Sequence, residues 1–383
     1  MNEEPVFKPF GFDRNKLLHQ MKVQDLSCII LTSPENVYYT TSFTVLPSSG
    51  NPILFTLRNR LPFFSFINRY GKVTLICWGF ATDGVEFGVD EIIGFANFEE
   101  AVIILEKCLK AECKEDDRLG VESSCPHYVL RSINRALDQV RLFDVDAIMT
   151  QLRLIKSPVE IELIRKSTEI IETTMAELYD EVRVGMSRLE LMKEAKSRLF
   201  KNGAMGISHV TFTFGRANPE IAIGEKLEPG QLVTLDLGGF YKGYASDNRR
   251  YMYTGEIPST LLDHYNVMVE IVDVVGEALI PGSKYSDVFS TGVKQFKKYG
   301  LSPHQINHVG HNMGLETEEE WISDDPEKVI MEGMVINIEL YSQMSTGDYI
   351  GNEETYIIGA SGPTRISRLP REIRVVNTNY NSS

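Results

Sequence analysis

The sequence predicts a two-domain protein, an α/β amino-terminal domain followed by an α+β domain whose helices and hairpins occur twice. The chain has 383 residues, which is longer than a single hydrophobic core usually organises. Hydrophobic residues make up 43% of the chain, enough to build two cores. Helical and strand patterns alternate over residues 1–151, as in an α/β layer. Residues 152–383 follow the order helices, hairpin, helices, hairpin, which indicates an internal pseudo-two-fold repeat.

In the amino-terminal domain, short apolar runs predict strands and amphipathic stretches predict the helices between them. The strands are expected at residues 27–31, 52–56, 73–77 and 118–122, and the helices include residues 15–22 and 98–110. The domain boundary is expected within residues 152–158, because Ser157 and Pro158 form a typical helix start.

The carboxy-terminal domain begins with a long helix predicted over residues 159–182 and a second over residues 187–203. Another helix pair is expected at residues 259–279 and 284–299, after the first hairpin. The residues beyond Val376 are predicted to fray at the chain end.

Charge and hydropathy exclude several classes of partner. The formal net charge of −14 disfavours nucleic acid and anionic membranes, since both are bound by basic surfaces. No apolar run approaches the roughly 18 residues of a membrane-spanning helix. The acidic start Met1-Asn2-Glu3-Glu4-Pro5 is unlike a signal peptide. The sequence therefore predicts a cytoplasmic protein that binds neither nucleic acid nor membrane.

All five cysteines lie in the amino-terminal third, and none forms a Cys-x-x-Cys pair. This set favours reduced thiols over a disulfide framework or a zinc site. Cys125 lies close to His127, but neighbours so near along the chain rarely present both side chains to one reacting atom. We therefore expect no cysteine nucleophile.

Five potential metal ligands lie in the carboxy-terminal domain, each within a predicted strand or at its edge. They are Asp236, Asp247, His311, Glu339 and Glu353. Four carboxylates and one imidazole suit Mn, Co, Fe or Zn, and two such ions a few ångströms apart can clamp an attacking water and polarise a carbonyl. The set therefore predicts a two-metal hydrolase.

The first predicted hairpin brings two of these acids together. Asp236 follows an apolar run, and Asp247 lies beyond a glycine-rich turn. A turn centred between Tyr241 and Lys242 would place the two carboxylates directly opposite each other.

The second hairpin pairs Glu339 with Glu353 around a turn centred on Thr346. Directly opposed like charges destabilise a strand pair, so two such arrangements in one chain favour a cation between them. Each acid taken singly could be a solvated carboxylate on a strand edge. Asp236 and Glu339, however, lie in patterns of buried strands, where an unpaired carboxylate is costly.

These segments resemble the prolidase, Xaa-Pro aminopeptidase and creatinase group, whose catalytic domain has the pita-bread fold. The catalytic resemblance rests on LVTLDLG, GYASD, GHNMGLE, GMVINIE and EET, at residues 232–238, 243–247, 310–316, 333–339 and 353–355. Residues 31–39 are similar to the amino-domain signature of longer members, residues 156–166 to the entry helix of the catalytic domain, and residues 368–372 to its terminal strand. The resemblance implies a creatinase-like α/β amino-terminal domain at 1–151 and an α+β pita-bread domain at 152–383.

The resemblance also implies roles for the five ligands. Asp247 and Glu353 would bridge two divalent ions, Asp236 would bind one ion, and His311 and Glu339 the other. His311 and Glu339 are then the catalytic residues, with Glu339 moving the proton of the attacking water. Mn is the expected metal, with Co, Zn and Fe as alternatives, and the longer members of the group imply a homodimer.

The chain departs from the group where its peptidases carry histidines that contact substrate. Residues 218–224 lack the usual Pro-His pair, and Asn307 and Glu318 replace histidines four residues before and seven residues after the metal histidine. His308, one position out of register, or His209, upstream, could replace the missing imidazoles. For each of the two, a structural or surface histidine is the favoured interpretation.

Arg249 stands where the group often has threonine, two residues after Asp247. It is either a clamp for a substrate carboxylate or a solvated charge at the pocket rim. The candidate substrate-binding residues are therefore His308, Arg249, Asn307, Glu318 and His209.

Three functions follow from these patterns. The preferred one is metal-assisted hydrolysis of a C–N bond in a small peptide with proline in second position. The second acts on a small non-peptide molecule, as creatinase- and ectoine-hydrolase-like relatives do, although creatinase itself lacks the acidic pentad. The third is a binding protein without turnover, which the intact ligand set disfavours. An imidazole other than His311 in the pocket would favour the peptidase over the small-molecule enzyme.

Overall fold

The computed structural model describes residues 6–215, 224–303 and 307–376. The chain forms two compact units, an amino-terminal unit that ends at Arg153 and a carboxy-terminal unit that begins at Leu154. This division lies within residues 152–158, the segment in which the sequence predicts the domain boundary. The carboxy-terminal unit contains all five candidate metal ligands.

The amino-terminal unit contains a six-stranded mixed sheet. Its strands and those of a separate small pair are β1 (Val6–Phe7), β2 (Cys28–Leu31), β3 (Phe64–Asn68), β4 (Val73–Trp78), β5 (Glu86–Phe87), β6 (Glu91–Phe95), β7 (Arg118–Val121) and β8 (Arg141–Asp144). The main sheet has the order β6-β4-β3-β2-β7-β8, and β1 pairs with β5. The pairs β2–β3 and β3–β4 are antiparallel, and the other neighbours in this sheet are parallel.

Helices cover this sheet and connect its strands. They are α1 (Arg14–Val23), α2 (Pro34–Thr41), α3 (Ile53–Thr56), α4 (Phe98–Glu112), α5 (His127–Ala136) and α6 (Asp146–Leu154), with a 3-10 turn at Gly79–Thr82. Leu105 and Leu109 of α4 and Ile133 of α5 pack in one core with Ile30 and Phe64 of the sheet. The unit is therefore the α/β layer that the alternating pattern predicts.

The expected strand at residues 52–56 is wrong. Ile53–Thr56 is a single helical turn that follows Pro52, and the sheet instead uses β3. A short apolar run does not distinguish a strand from a helical turn, and here the turn prevails. The strands predicted at 27–31, 73–77 and 118–122 and the helices at 15–22 and 98–110 are confirmed within a few residues.

The carboxy-terminal unit contains four long helices in two pairs. They are α7 (Pro158–Tyr179), α8 (Arg188–Lys201), α9 (Ser259–Glu277) and α10 (Tyr285–Lys298). Ser157 and Glu160 form a capping box at the start of α7, and Ser187 and Glu190 form another at the start of α8. The four helices predicted from sequence are confirmed, with ends shifted by a few residues.

Two sheets carry the hairpins of this unit. Their strands are β9 (Gly206–Phe214), β10 (Leu232–Tyr241), β11 (Tyr244–Thr254), β12 (Gly310–Asn312), β13 (Glu320–Trp321), β14 (Val335–Gln343), β15 (Tyr349–Gly359), β16 (Gly362–Arg365) and β17 (Arg374–Val376). One sheet has the order β17-β11-β10-β9 and the other β13-β12-β14-β15-β16. The helices α7 and α8 pack on the first sheet, and α9 on the second, with α10 against α9. The pseudo-two-fold repeat is therefore confirmed.

The two sheets meet along β11 and β15. The backbone amide of Gly351 donates to the hydroxyl oxygen of Tyr251 at 2.9 Å. The buried guanidinium of Arg250 donates to the carbonyl oxygen of Glu353 at 3.2 Å and lies 3.3 Å from the carboxylate of Glu354. These contacts fix the two hairpins against each other.

In residues 6–215, 224–303 and 307–376, no helix combines the length and apolar character that a membrane crossing requires. Residues 377–383, predicted to fray, and the part of segment 218–224 that precedes Gly224 lie outside the described residues.

Candidate metal centre

The first hairpin presents its two acids diagonally, so their predicted direct opposition is wrong. Asp236 lies opposite Arg249, and Asp247 lies opposite Gly238. The turn consists of Lys242 and Gly243, whose φ values are +47° and +83°, as a two-residue hairpin turn with both central residues left-handed requires. Both acids still lie on the same face of the strand pair, because residues two apart share a face.

The second hairpin has the predicted register. Glu339 on β14 lies directly opposite Glu353 on β15. Glu353 is 1% exposed, so it faces a like charge across the ladder with almost no water to screen it. This arrangement is unfavourable unless a cation lies nearby.

His311 joins the acids of the two hairpins. It lies on β12, the strand next to β14, and is fully buried. Its Nε2 atom is 3.9 Å from Asp247 Oδ2 and 3.7 Å from Glu339 Oε2. One acid from the first hairpin and one from the second thus approach the same nitrogen.

His209 enters the same cluster, although a structural or surface histidine was the favoured interpretation. On β9, its Nε2 atom lies 3.0 Å from Asp236 Oδ1 and 3.2 Å from Asp247 Oδ1. Ligand atoms of these three residues all lie within 4.8 Å of one another. A Cβ atom at Gly238 would lie 2.5 Å from the imidazole, so only glycine there leaves room for the ring.

Arg249 lies inside the cluster. The prediction of a solvated charge at the pocket rim is therefore wrong. Its side chain is 18% exposed, and its Nη2 atom donates to Asp236 Oδ2, which Nε also reaches at 3.1 Å. Nη2 is 3.7 Å from Glu339 Oε1, and the guanidinium lies 4.1 Å from the centre of the Tyr341 ring. Ion pairing and stacking hold this side chain in one place.

The electrostatics of the two hairpins are opposite. Burial raises the pKa of Glu353 well above its usual range, and the charges of Asp247 and Glu339 raise it further. Burial also opposes ionisation of Asp236, but the charges of Arg249 and His209 outweigh it and hold the pKa of this carboxyl below its usual range.

The residues present fit divalent metal ions. Both ring nitrogens of His311 and the Oε2 atom of Glu353 are buried and have no hydrogen-bond partner within the described part of the chain. Buried polar atoms without partners are costly, and a bound cation would satisfy Glu353 Oε2 and one of the two ring nitrogens of His311. Carboxylate oxygens with one or two imidazole nitrogens are ligands that Mn, Fe, Co and Zn accept.

Two residues that hydrogen-bond to the candidate ligands were not predicted from the sequence. Asn337 donates to Glu353 Oε1 at 2.5 Å, and the Tyr341 hydroxyl donates to Glu339 Oε1. Burial raises the pKa of Tyr341 well above its usual range, so the hydroxyl keeps its proton. Both residues lie two positions from Glu339 on β14, and the period-two rule for strands therefore predicts that they share its face.

The three remaining substrate-binding candidates lie around β13, the edge strand beside His311. His308 stacks on Trp321 with ring centres 5.0 Å apart, and burial lowers its pKa. The exposed Glu318 accepts from Trp321 Nε1 at 2.7 Å, and Asn307 is exposed. Trp321 pairs with His311 in the β12–β13 register, so this group borders the centre without contributing to the cluster of ligand atoms.

Among the described residues, the contacts of the metal centre do not include Cys125. It belongs to the amino-terminal unit, and burial raises the pKa of its thiol. A raised pKa leaves little of the thiolate that nucleophilic catalysis needs. Cys28 and Cys113, with Sγ atoms 3.1 Å apart, are also free thiols.

The repeated helix-and-hairpin fold and the buried acids around His311 define a metal-dependent hydrolase. Two family models match the chain, that of metallopeptidase family M24 over residues 162–360 and that of the creatinase/prolidase N-terminal domain over residues 14–155. The chain belongs to metallopeptidase family M24.

Curated relatives include peptidases from archaea and bacteria. The chain is 29% identical to the Xaa-Pro dipeptidase of Pyrococcus furiosus over 290 residues, which cover 74% of this chain and 80% of that protein. It is 25% identical to an uncharacterised peptidase of Staphylococcus aureus over 332 residues, which cover 85% of this chain and 90% of that protein.

Solved structures share the fold. The prolidase from Pyrococcus furiosus matches with a TM-score of 0.78 and 25% identity, over 92% of this chain and 100% of that chain. The Xaa-Pro dipeptidase from Bacillus anthracis matches with a TM-score of 0.81 and 21% identity, over 95% of this chain and 99% of that chain. The expected architecture, a creatinase-like amino-terminal domain and a pita-bread catalytic domain, is confirmed.

Proposed function

We propose that the protein hydrolyses the bond before proline in short peptides, using divalent metal ions bound by Asp236, Asp247, His311, Glu339 and Glu353. The observation that carries this proposal is the approach of Asp247 and Glu339 to His311, beside buried atoms of His311 and Glu353 that have no partner among the described residues. The Xaa-Pro dipeptidase similar to this chain supports the choice of substrate.

The resemblance implies two ions. One ion would be held by His311, Glu339, Asp247 and Glu353. A second ion would have to lie at Asp236, where His209 and Arg249 already pair with the carboxylate. Mn is the metal that we propose, because carboxylate oxygens dominate the set.

A divalent ion bound here would activate a water molecule and polarise the carbonyl of the scissile bond. We assign to Glu339 the uptake of the water proton. Its Oε1 atom accepts from Tyr341, and its Oε2 atom lies 3.7 Å from His311 Nε2, turned towards the ligand cluster. We assign to Oε2 the transfer of this proton to the leaving nitrogen.

Recognition of the peptide is assigned to groups at the edge of the cluster. His209 brings a second imidazole to the acids, which is the feature that favours a peptidase over an enzyme for small non-peptide molecules. The stacked pair of His308 and Trp321, with Glu318, forms an amphipathic surface beside the strand of His311. This surface can contact both the apolar ring and the amide groups of a short peptide. Asn307 is kept as a further contact of the same surface.

Substrate profiling tests the proposal. Purified protein supplied with Mn, Co or Zn is assayed on Xaa-Pro dipeptides, Xaa-Pro tripeptides, Xaa-Ala controls, and amidino or guanidino compounds. We expect hydrolysis of Xaa-Pro substrates that a chelator abolishes. Turnover of amidino or guanidino compounds alone would replace the peptidase with the small-molecule hydrolase, and metal uptake without any turnover would support a binding protein.

A homodimer and a cytoplasmic location complete the proposal. Longer members of the prolidase group imply the dimer, and the five free cysteine thiols support the location. Light scattering coupled to gel filtration measures the mass directly. A single peak at the 43.3 kDa of one chain would contradict the dimer.

A further inference from the structure

Asp236 differs from the other proposed ligands because protein groups already engage both of its carboxylate oxygens. His209 Nε2 lies 3.0 Å from Oδ1, and Arg249 approaches Oδ2 with both Nη2 and Nε. A carboxylate in this environment is electrostatically compensated by the protein itself.

Glu353, at the opposite end of the centre, lacks such compensation. Glu353 has one oxygen bound to Asn337 and the other without a partner among the described residues, and both nitrogens of His311 are also unpartnered there. Glu353 lies directly opposite the acidic Glu339 across the β14–β15 ladder. This end therefore requires a cation from outside the chain.

Arg249 is held in place by more than Asp236. Its guanidinium lies over the ring of Tyr341 and 3.7 Å from Glu339 Oε1, and 18% of the side chain is exposed. A guanidinium stays charged at every relevant pH. If an ion displaced it from Asp236, a largely buried positive charge would be left next to a divalent cation, which is strongly unfavourable.

We propose that Arg249 acts as an internal cation that takes the place of a metal ion at Asp236, so the protein binds one divalent ion tightly and excludes a second. The ion occupies the end formed by His311, Glu339 and Glu353, with Asp247. This inference rests on the proposed function for the identity of the ligands, and it changes how many ions they bind.

Metal binding without substrate tests this directly. Chelated wild-type protein and the variant Arg249→Thr are titrated with MnCl2 by calorimetry, and the bound metal is then counted by mass spectrometry after desalting. We expect one ion per chain in the wild type and two in the variant. The second site of the variant should bind at least about tenfold more tightly than any second event in the wild type, the scale of one lost charge-assisted hydrogen bond.

Two further variants make the test specific. Arg249→Lys keeps the charge but loses the planar fork and the stacking, and it should bind a second ion more weakly than Arg249→Thr does. Arg165→Thr removes a half-exposed arginine paired with Glu162 on α7 and should bind one ion, like the wild type. Circular dichroism confirms that each variant is folded.

Two equivalent ions in the wild type, or one ion in Arg249→Thr, would overturn the inference. Peptide hydrolysis plays no part in this measurement, so a wrong substrate assignment leaves its outcome unchanged. Absence of any bound metal in both proteins would overturn the inference and the proposed metal centre together.

Discussion

The two hairpins of the carboxy-terminal unit have the same topology, but they place different residues opposite their acids. β10 and β11 place Asp236 opposite Arg249, whereas β14 and β15 place Glu339 opposite Glu353. The repeat determines where the carboxylates lie. The residue across the ladder determines whether a carboxylate is compensated by the chain or needs an added ion.

The strongest test removes a ligand of the ion that is proposed to bind tightly. His311→Ala and Asp247→Ala should lose the tightly bound ion and at least about a thousandfold in activity, as expected for the loss of a group that the chemistry depends on. Metal counting and peptide hydrolysis measure the two effects. Cys125→Ser is the control and should change neither. A dead Cys125 variant beside a fully active Asp247 variant would show that the site is wrongly assigned.

The stability of chelated protein should respond in opposite directions to neutralisation of one acid in each hairpin. Asp236→Asn removes the partner of a largely buried arginine and should destabilise the fold by roughly 1–3 kcal/mol. Glu353→Gln removes a buried charge that faces two other acids and keeps the acceptor for Asn337, so it should stabilise the fold by about 1 kcal/mol. Denaturant titration in the presence of a chelator measures both. If the two substitutions changed the free energy of unfolding in the same direction, the proposed difference between the two hairpins would be contradicted.

The pH dependence of the same chelated proteins sharpens this result. Because the folded-state pKa of Glu353 is raised, the folded state binds its proton more strongly than the unfolded state does. The wild type should therefore lose stability as pH rises from about 4.3, the usual glutamate pKa, through the raised folded value. Glu353→Gln lacks this loss, so its advantage should grow with pH. A constant difference across this range would exclude Glu353 as the cause.

The smallest effect concerns the hairpin turns. Lys242 has a φ of +47°, a conformation that asparagine adopts more readily than lysine. Lys242→Asn should stabilise the protein by about 0.5 kcal/mol. Thr346→Asn, at the tip of the other hairpin, is the matched control, because Thr346 is not among the described residues with positive φ. A gain at Thr346 that equals the gain at Lys242 would remove this explanation.

Strand register in the site was predicted correctly for one hairpin and wrongly for the other. The register of Glu339 and Glu353 agrees with the predicted turn centred on Thr346. The first hairpin has glycines on both sides of its turn, and the left-handed Lys242 is not a typical turn residue, so the predicted centre is displaced by one position. This shift is enough to place Arg249 rather than Asp247 opposite Asp236.

The contacts of His209 with Asp236 and Asp247 were not predicted from the sequence. His209 reaches the acids because β9 lies next to β10, with a bulge between Gly238 and Gly239, and because Gly238 leaves space for the ring. Neither the bulge nor the pairing of β9 leaves a local signal around His209. The helices, by contrast, follow from local capping and periodicity, and they were predicted well.

Arg250 holds the two halves of the catalytic unit together in the absence of metal. From β11 it donates to the backbone of both Glu353 and Leu369, and it lies 3.3 Å from the Glu354 carboxylate. These bonds join the two halves of the catalytic unit without the help of any ion. Chelated protein should therefore keep its scaffold assembled and regain activity as soon as metal is returned, with no slow refolding phase in a stopped-flow reconstitution experiment.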